Sequence, residues 1–320
     1  MTFALRGIAV SFSIFVLLYS ALSLVACGVW RKVLFYGQRS SAKRCADLLL
    51  ALRMAPLVAA AGITLAFAVP SFLLLEPRMA NEPMSAVPVA LGLFGLAVLL
   101  AGLWKAATAL VQASRTVARW ARDDRAADSS VLESSVAVRR ISGTAPPLTV
   151  AGIFRSSVWL SRAAEFVLTE RELQSALRHE VAHVRRRDNL RKLILRLVTF
   201  PGMAELECAW SEATEMAADD AAVSSASEAL DLAAAVIKLS RLAPLEAPAE
   251  LTTALVHSPA ESVNARVERL IAWTERRPSN APRYFIGYAL FAAVAAVATL
   301  ALTYSELLVR VHAATEWLVR

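Results

Sequence analysis

Apolar residues gather into four runs, near 7–30, 54–75, 87–104 and 284–303. Each is long enough for the roughly 20 helical residues that cross about 30 Å of hydrocarbon. Between the third and fourth runs the pattern changes. Residues 115–135 read as a charged helical extension of the third span, and Val136-Ala137-Val138, Leu148-Thr149-Val150 and Val158-Trp159-Leu160 are short β-prone stretches. Turn-forming Ser-Gly-Thr-Ala-Pro-Pro and Gly-Ile-Phe-Arg-Ser-Ser separate them, which predicts a small sheet of two or three strands. From Thr169 onward the pattern is helical. Thr169 and Glu172 have capping-box spacing, and Leu173, Leu177, Val181 and Val184 recur every three or four residues as the buried face of the helix that follows. The expected fold is a mainly α integral membrane protein of four transmembrane helices, with an α+β cytoplasmic domain between spans three and four. The predicted boundaries are a membrane domain at 1–112, the intervening domain at 113–283, a fourth span at 284–303 and a short external tail at 304–320.

Composition strengthens the membrane reading and charge orients it. Hydrophobic residues make up 57% of the chain and mean hydropathy is +0.50, too apolar for an ordinary soluble protein. Arg31, Lys32, Arg39, Lys43 and Arg44 follow the first run, whereas Glu76, Arg78 and Glu82 follow the second. Positive charge marks the cytoplasmic side, so the N-terminus is expected outside and the middle domain inside a bacterial-type inner (plasma) membrane. Arg276, Arg277 and Arg283, before the fourth run, agree. Leu24-Val25-Ala26-Cys27 has the form of a lipoprotein cleavage box, but Gly-Val-Trp-Arg-Lys and more apolar residues follow it where a polar linker belongs. The net charge of +7 sits at the ends of apolar runs, so anionic lipid accounts for it and no nucleic-acid partner is expected. Cys27, Cys45 and Cys208 form no CxxC pair, which leaves His and carboxylates as the available metal ligands.

The chemistry concentrates in His179-Glu180-Val181-Ala182-His183. Histidines four apart on a helix project from adjacent turns, so both imidazoles can reach one Zn²⁺. Glu180 lies near the same side without being forced into coordination. It can take a proton from the water that such an ion activates and pass it to a leaving amine. The third ligand belongs to a second helix, near 204–224, that carries Glu205, Glu207, Glu212, Glu215, Asp219 and Asp220. Glu212, Glu215 and Asp219 share one stripe, and spacing leaves Glu212 and Glu215 open as ligand. Asp219 is the natural carboxylate to orient a ligand histidine through its other ring nitrogen. Glu205, Glu207 and Asp220 read as a solvated helix face.

HEVAH followed by Val-Arg-Arg-Arg-Asp-Asn-Leu, then Glu215-Met216-Ala217-Ala218-Asp219, resembles the membrane zinc metallopeptidases of the BlaR/MecR antirepressor class, relatives of the HtpX and CAAX prenyl proteases. Ser157-Val158-Trp159-Leu160-Ser161, Leu168-Thr169-Glu170-Arg171-Glu172-Leu173 and Arg266-Val267-Glu268-Arg269-Leu270 extend the likeness, as do three spans before the domain and one after it. The resemblance implies a zincin-like metalloprotease domain with Glu215 as third ligand and Asp219 behind a histidine. It also implies an edge strand at Val158, Trp159 and Leu160 that takes substrate as an added strand. Arg266, and less strongly His257, would contact the substrate or the oxyanion. Relatives of the antirepressor class carry a penicillin-binding sensor after the last span. Here Tyr304 to Arg320 follow, too few residues for one, so any signal is expected through the spans, the short external loops or an unidentified sensor partner.

The expected function is a membrane-anchored zinc endopeptidase acting on a cytoplasmic or membrane-proximal protein, with a transcriptional repressor the favoured substrate. Membrane-protein quality control and a non-catalytic scaffold are the alternatives. A transporter is disfavoured because the middles of the spans lack charge. Residues 193–203, apolar apart from Arg196, are too short to cross the bilayer and are expected either to lie at its interface or to form a buried helix.

Overall fold

The computed structural model describes residues 3–77, 85–123, 130–131, 136–141, 146–242, 253–254, 260–273 and 303–317. Among these residues, three helices are long and apolar enough to cross a membrane. They are α1 (Phe3–Gly37), α2 (Ala42–Ile63) continued through a π-helical turn (Thr64–Ala68) into α3 (Val69–Leu75), and α4 (Ala86–Asp123). Ile8, Leu24, Leu65, Leu74, Leu93 and Trp104 remain exposed along them, an apolar surface suited to lipid contact. Each helix outruns its apolar stretch. The second begins behind the Ser41 N-cap, well before Met54, because Lys43 and Arg44 interrupt hydropathy without interrupting helix. Small residues let the spans approach closely: a side chain at Gly95 would collide with Val16, and one at Gly7 with the Phe72 ring.

The π-helical turn has a local cause. Pro70 has no N–H to offer the carbonyl four residues back, that of Ala66. The Tyr304 hydroxyl donates to that oxygen at 2.7 Å, and its ring lies 5.6 Å from Phe67. Tyr304 belongs to a helix at 303–317, labelled α11 below. The segment expected as a tail is therefore helical over those residues, and it starts beside the apolar part of the second span. Apart from Thr303, the predicted fourth span lies outside the described residues.

The domain between α4 and α11 is a small mixed sheet covered by helices. Its strands are β1 (Ser130–Val131), β2 (Ala137–Ile141), β3 (Leu148–Ala151), β4 (Ser157–Ser161) and β5 (Thr253–Ala254), in the order β1-β2-β4-β3-β5. β4 runs parallel to β2 and antiparallel to β3. The helices are α5 (Arg162–Val167), α6 (Glu170–Arg186), α7 (Asp188–Leu197), α8 (Ala204–Ala222), α9 (Ala226–Arg241) and α10 (Ala260–Ile271). Val138, Leu148, Val150, Val158 and Leu160 from the sheet pack with Leu177 and Val181 of α6, Leu232 and Val236 of α9, and Leu270 of α10.

This placement corrects the expectation of an edge strand at Val158, Trp159 and Leu160. Both sides of β4 already carry neighbours, so its backbone groups are engaged and no peptide can add there. All three side chains are buried. A run of apolar and aromatic residues shows that a strand is covered, and pairing partners alone decide whether it lies at an edge.

The domain is seated on the spans. Cys45, Ala46 and Leu49 of α2 share a core with Leu195 of α7 and Leu206, Ala209, Trp210 and Ala213 of α8. The turn between α7 and α8 reaches in among the helices: Tyr19 donates to the Thr199 carbonyl at 3.1 Å, and its ring meets Phe200 edge-on at 5.6 Å. Arg53, almost wholly buried, donates to the Val198 carbonyl and pairs with Glu207. Non-helical backbone packed among apolar helices is tolerated only when its carbonyls find donors in this way. Residues 193–203 are thus the domain's anchor among the spans, with Leu195 and Met203 buried and Leu193 against Ala109 and Ala113.

Candidate metal centre

α6 carries the two histidines and is fixed at its start. Thr169 Oγ1 accepts from the Glu172 N–H at 3.4 Å, and the Glu172 carboxylate accepts from the Thr169 N–H at 2.8 Å. The predicted capping box is therefore present. Lys238 of α9 also donates to Glu172, at 2.7 Å, tying the cap to the neighbouring helix. Two turns on, His179, Glu180 and His183 are all buried. α8 crosses beside them and contributes Glu215 and Asp219, both buried, while Glu212, one turn earlier, is exposed. The spacing that left Glu212 and Glu215 open is resolved by which face of α8 meets α6.

His179 Nε2 and His183 Nε2 lie 3.1 Å apart, and each is 3.5 Å from an oxygen of Glu215. Three ligands about 2.0–2.1 Å from one tetrahedral ion stand about 3.3 Å from one another, so the triad has the size of a three-ligand metal site. The protonation pattern agrees. His183 Nδ1 is 2.8 Å from Asp188 Oδ2, a hydrogen bond that assigns its ring proton to Nδ1, and His179 Nδ1 stands 2.9 Å from Asp219 Oδ1. Both Nε2 atoms face the Glu215 carboxylate, an arrangement that a cation at its centre would satisfy. His179, His183 and Glu215 could hold a metal ion on this geometry.

The electrostatics of the bare side chains point the same way. Burial pushes His183 down, but Glu215 and Asp188 outweigh it and raise the imidazole to about 10. For Glu215, burial is outweighed by His183, His179 and Arg266, which hold its carboxyl well below the usual range. Glu180 differs. Burial dominates the histidines' opposition and raises it to about 7, and neither of its oxygens has a hydrogen-bond partner among the described residues. A buried carboxyl without partners is costly, so its presence requires a reason.

Arg266 of α10 reaches the centre from behind. Its Nε and Nη2 donate to both oxygens of Asp219 at 2.9 and 2.7 Å, and its Nη1 lies 3.2 Å from Glu215. Burial costs the ion pair, yet Arg266 keeps Asp219 ionised far below the usual carboxylate range. The guanidinium is thus directed at the two carboxylates it holds. His257 lies outside the described residues. Of the acids read as a solvated face, Glu207 is half-buried against Arg53, Asp220 pairs with Arg269 and only Glu205, paired with Arg31, is well exposed.

Asp188 and Asn189 are the residues that sequence reasoning missed. Arg187 ends α6 in the left-handed conformation, φ 55°, which turns the chain so that Asp188 faces back toward His183. Asn189 donates to the Val150 and Gly152 carbonyls, pinning this corner to β3. The signal was an acid set among three arginines five residues after a ligand histidine. On α7, Lys192 is depressed by burial, with Glu215, Asp188 and Glu180 opposing, and so sits within the field of the centre. No protein-family model and no curated protein matches this chain.

Proposed function

We propose that this chain is a membrane-anchored zinc endopeptidase of the BlaR/MecR-like kind, which hydrolyses peptide bonds of a cytoplasmic or membrane-proximal protein such as a transcriptional repressor. The observation that carries the reading is Glu180: a buried carboxyl with no hydrogen-bond partner among the described residues, held near neutrality, beside two histidines and a glutamate converging on one point. A structural role gives such a group nothing to do, whereas a general base must keep its oxygens available and its pKa near the working pH. His179, His183 and Glu215 would hold the ion. Zinc in that position would supply Lewis acidity, polarising both water and the scissile carbonyl.

The remaining work falls to the chain. Glu180 accepts the proton of the attacking water on a carboxylate oxygen and returns it to the leaving amine nitrogen. Asp219 and Asp188 fix the tautomers and orientations of His179 and His183. Arg266 keeps Asp219 and Glu215 ionised and in place.

The test compares newly formed protein N-termini in cells that express the wild type or Glu180→Gln at equal membrane levels, with zinc content measured on both purified proteins. Termini that arise with the wild type alone, while both proteins carry equal zinc, establish proteolysis and identify the substrate. Indistinguishable profiles under several envelope stresses, with zinc present in both, would instead support a metal-stabilised scaffold.

A further inference from the structure

The contacts that fix His183 continue into the membrane helices. Asp188 uses Oδ2 for His183 Nδ1, while its Oδ1 faces Arg186 Nε at 3.5 Å and Arg191 Nη1 at 3.8 Å. Both arginines also face a second carboxylate, Asp47 on α2: Arg186 Nη2 lies 3.6 Å and Arg191 Nη1 3.4 Å from its Oδ1. Two carboxylates and two guanidiniums thus form a closed box. One corner is fully buried at a ligand histidine, and the other is 44% exposed on a span helix. Other ion pairs also join spans to domain, among them Arg31 with Glu205 and Arg53 with Glu207. Among the described contacts, neither touches the metal triad or its backing carboxylates.

We propose that Asp188 is a positioning residue for His183, and that Asp47 acts on it through Arg186 and Arg191, so that a displacement of α2 at this level changes how tightly the centre holds its metal. The proposal rests on the reading of His179, His183 and Glu215 as a metal centre. Its physical basis is competition for one carboxylate. With Asp47 in place, the two guanidiniums divide their charge between two acids. Without it, both fall on Asp188, which becomes a poorer acceptor for the His183 N–H, and the imidazole becomes a weaker ligand. The route is short and stiff. α6 ends at Arg186 and α7 begins at Asp188, so no loop absorbs the movement. Cys45, Ala46 and Leu49 pack α2 directly against Leu195 of α7. A signal arriving through the spans would thereby reach the metal without a separate sensor domain touching it.

The experiment uses the full chain in nanodiscs. Zn²⁺ affinity is read by competition with a chelating dye, and ligand geometry by the visible absorption of the Co²⁺-loaded protein. Asp188→Asn is expected to weaken Zn²⁺ binding about 10- to 100-fold and to shift the Co²⁺ bands. Asp47→Asn, at a part-exposed pair, should weaken it about 2- to 5-fold with a smaller shift in the same sense. In the double variant, Asp47→Asn should add nothing, because its path runs through Asp188. Glu205→Gln, which removes a membrane-to-domain pair leading elsewhere, should match the wild type. Should Asp188→Asn fail to fold, the paired change Arg186→Gln with Arg191→Gln takes its place in the cycle with the same non-additivity expected, because both routes from Asp47 are then cut. An Asp47→Asn protein identical to wild type, or a loss that persists in full beside Asp188→Asn, overturns the coupling while leaving the metal centre intact. A wild type that binds neither ion overturns the centre and the coupling together.

Discussion

Among the described residues, two clusters bring a histidine and carboxylates within ligand distance of one another, and only one of the two has the makings of a metal centre. His179, His183 and Glu215 are buried where α6 meets α8; Glu76, His312 and Glu316 gather at the far end of the spans, where α11 meets the end of α3. Proximity is similar, yet the surroundings differ. At the first, each histidine has an acid behind its Nδ1, which turns both Nε2 lone pairs inward. At the second, His312 Nε2 stands 3.9 Å from Glu76 and 3.7 Å from Glu316, and Glu76 is engaged with Arg6 at 3.2 Å. Glu316 is also well exposed, so water can satisfy it. What separates them is the backing of the ligands and the lack of an alternative to the metal; the distances between ligand atoms do not.

The largest test of that contrast is catalytic. Glu180→Gln should lower peptide hydrolysis by about 10²- to 10⁴-fold, measured on a cleaved substrate once one is identified, with zinc retained. Glu316→Gln should leave the rate unchanged. Next comes metal content. Glu215→Ala should weaken zinc affinity by more than about 100-fold, since losing a ligand exceeds what losing an outer partner costs, whereas His312→Ala should leave zinc per chain as in the wild type by elemental analysis. Asp219→Asn is intermediate, at about 10- to 100-fold in affinity, and a larger loss would mean that Asp219 also holds the helix pair together through Arg266.

A pH experiment sharpens the same comparison. Glu180 sits at about 7 in the folded protein, above its ordinary value near 4.5. Below both values it is neutral folded and unfolded, and its ionisation affects nothing. Between them the unfolded chain releases the proton and the folded chain keeps it, so stability falls as pH rises through this window and levels off above it. In the metal-free protein, Glu180→Gln should raise the melting temperature at pH 8 and leave it nearly unchanged at pH 4, by no more than about 3 kcal/mol. The smallest effect belongs to the far cluster. His312→Ala should cost under about 1 kcal/mol, read as faster proteolysis of α11, with no change in zinc.

Much of this was legible from residue order. The capping box at Thr169 and Glu172, the i, i+4 histidines and the strands near 137, 149 and 159 depend on local geometry, which sequence spacing encodes directly. The three apolar helices follow from hydropathy, although their ends did not, because helix continues through basic residues that end an apolar run. What spacing could not supply was the partner of each face. Glu212 and Glu215 lie on one stripe, and only the crossing of α8 over α6 exposes the first and buries the second. β4 has the sequence of a covered strand, and only its pairing with β2 and β3 makes it interior. Asp188 looks like one acid among arginines until the left-handed turn at Arg187 swings it onto His183 and packing brings Asp47 to the same arginines. Sequence by itself determined which residue types could do chemistry and on which elements they ride. Tertiary structure decided which of them meet, because long-range contacts depend on how helix faces and strand edges pair, and no local pattern records that.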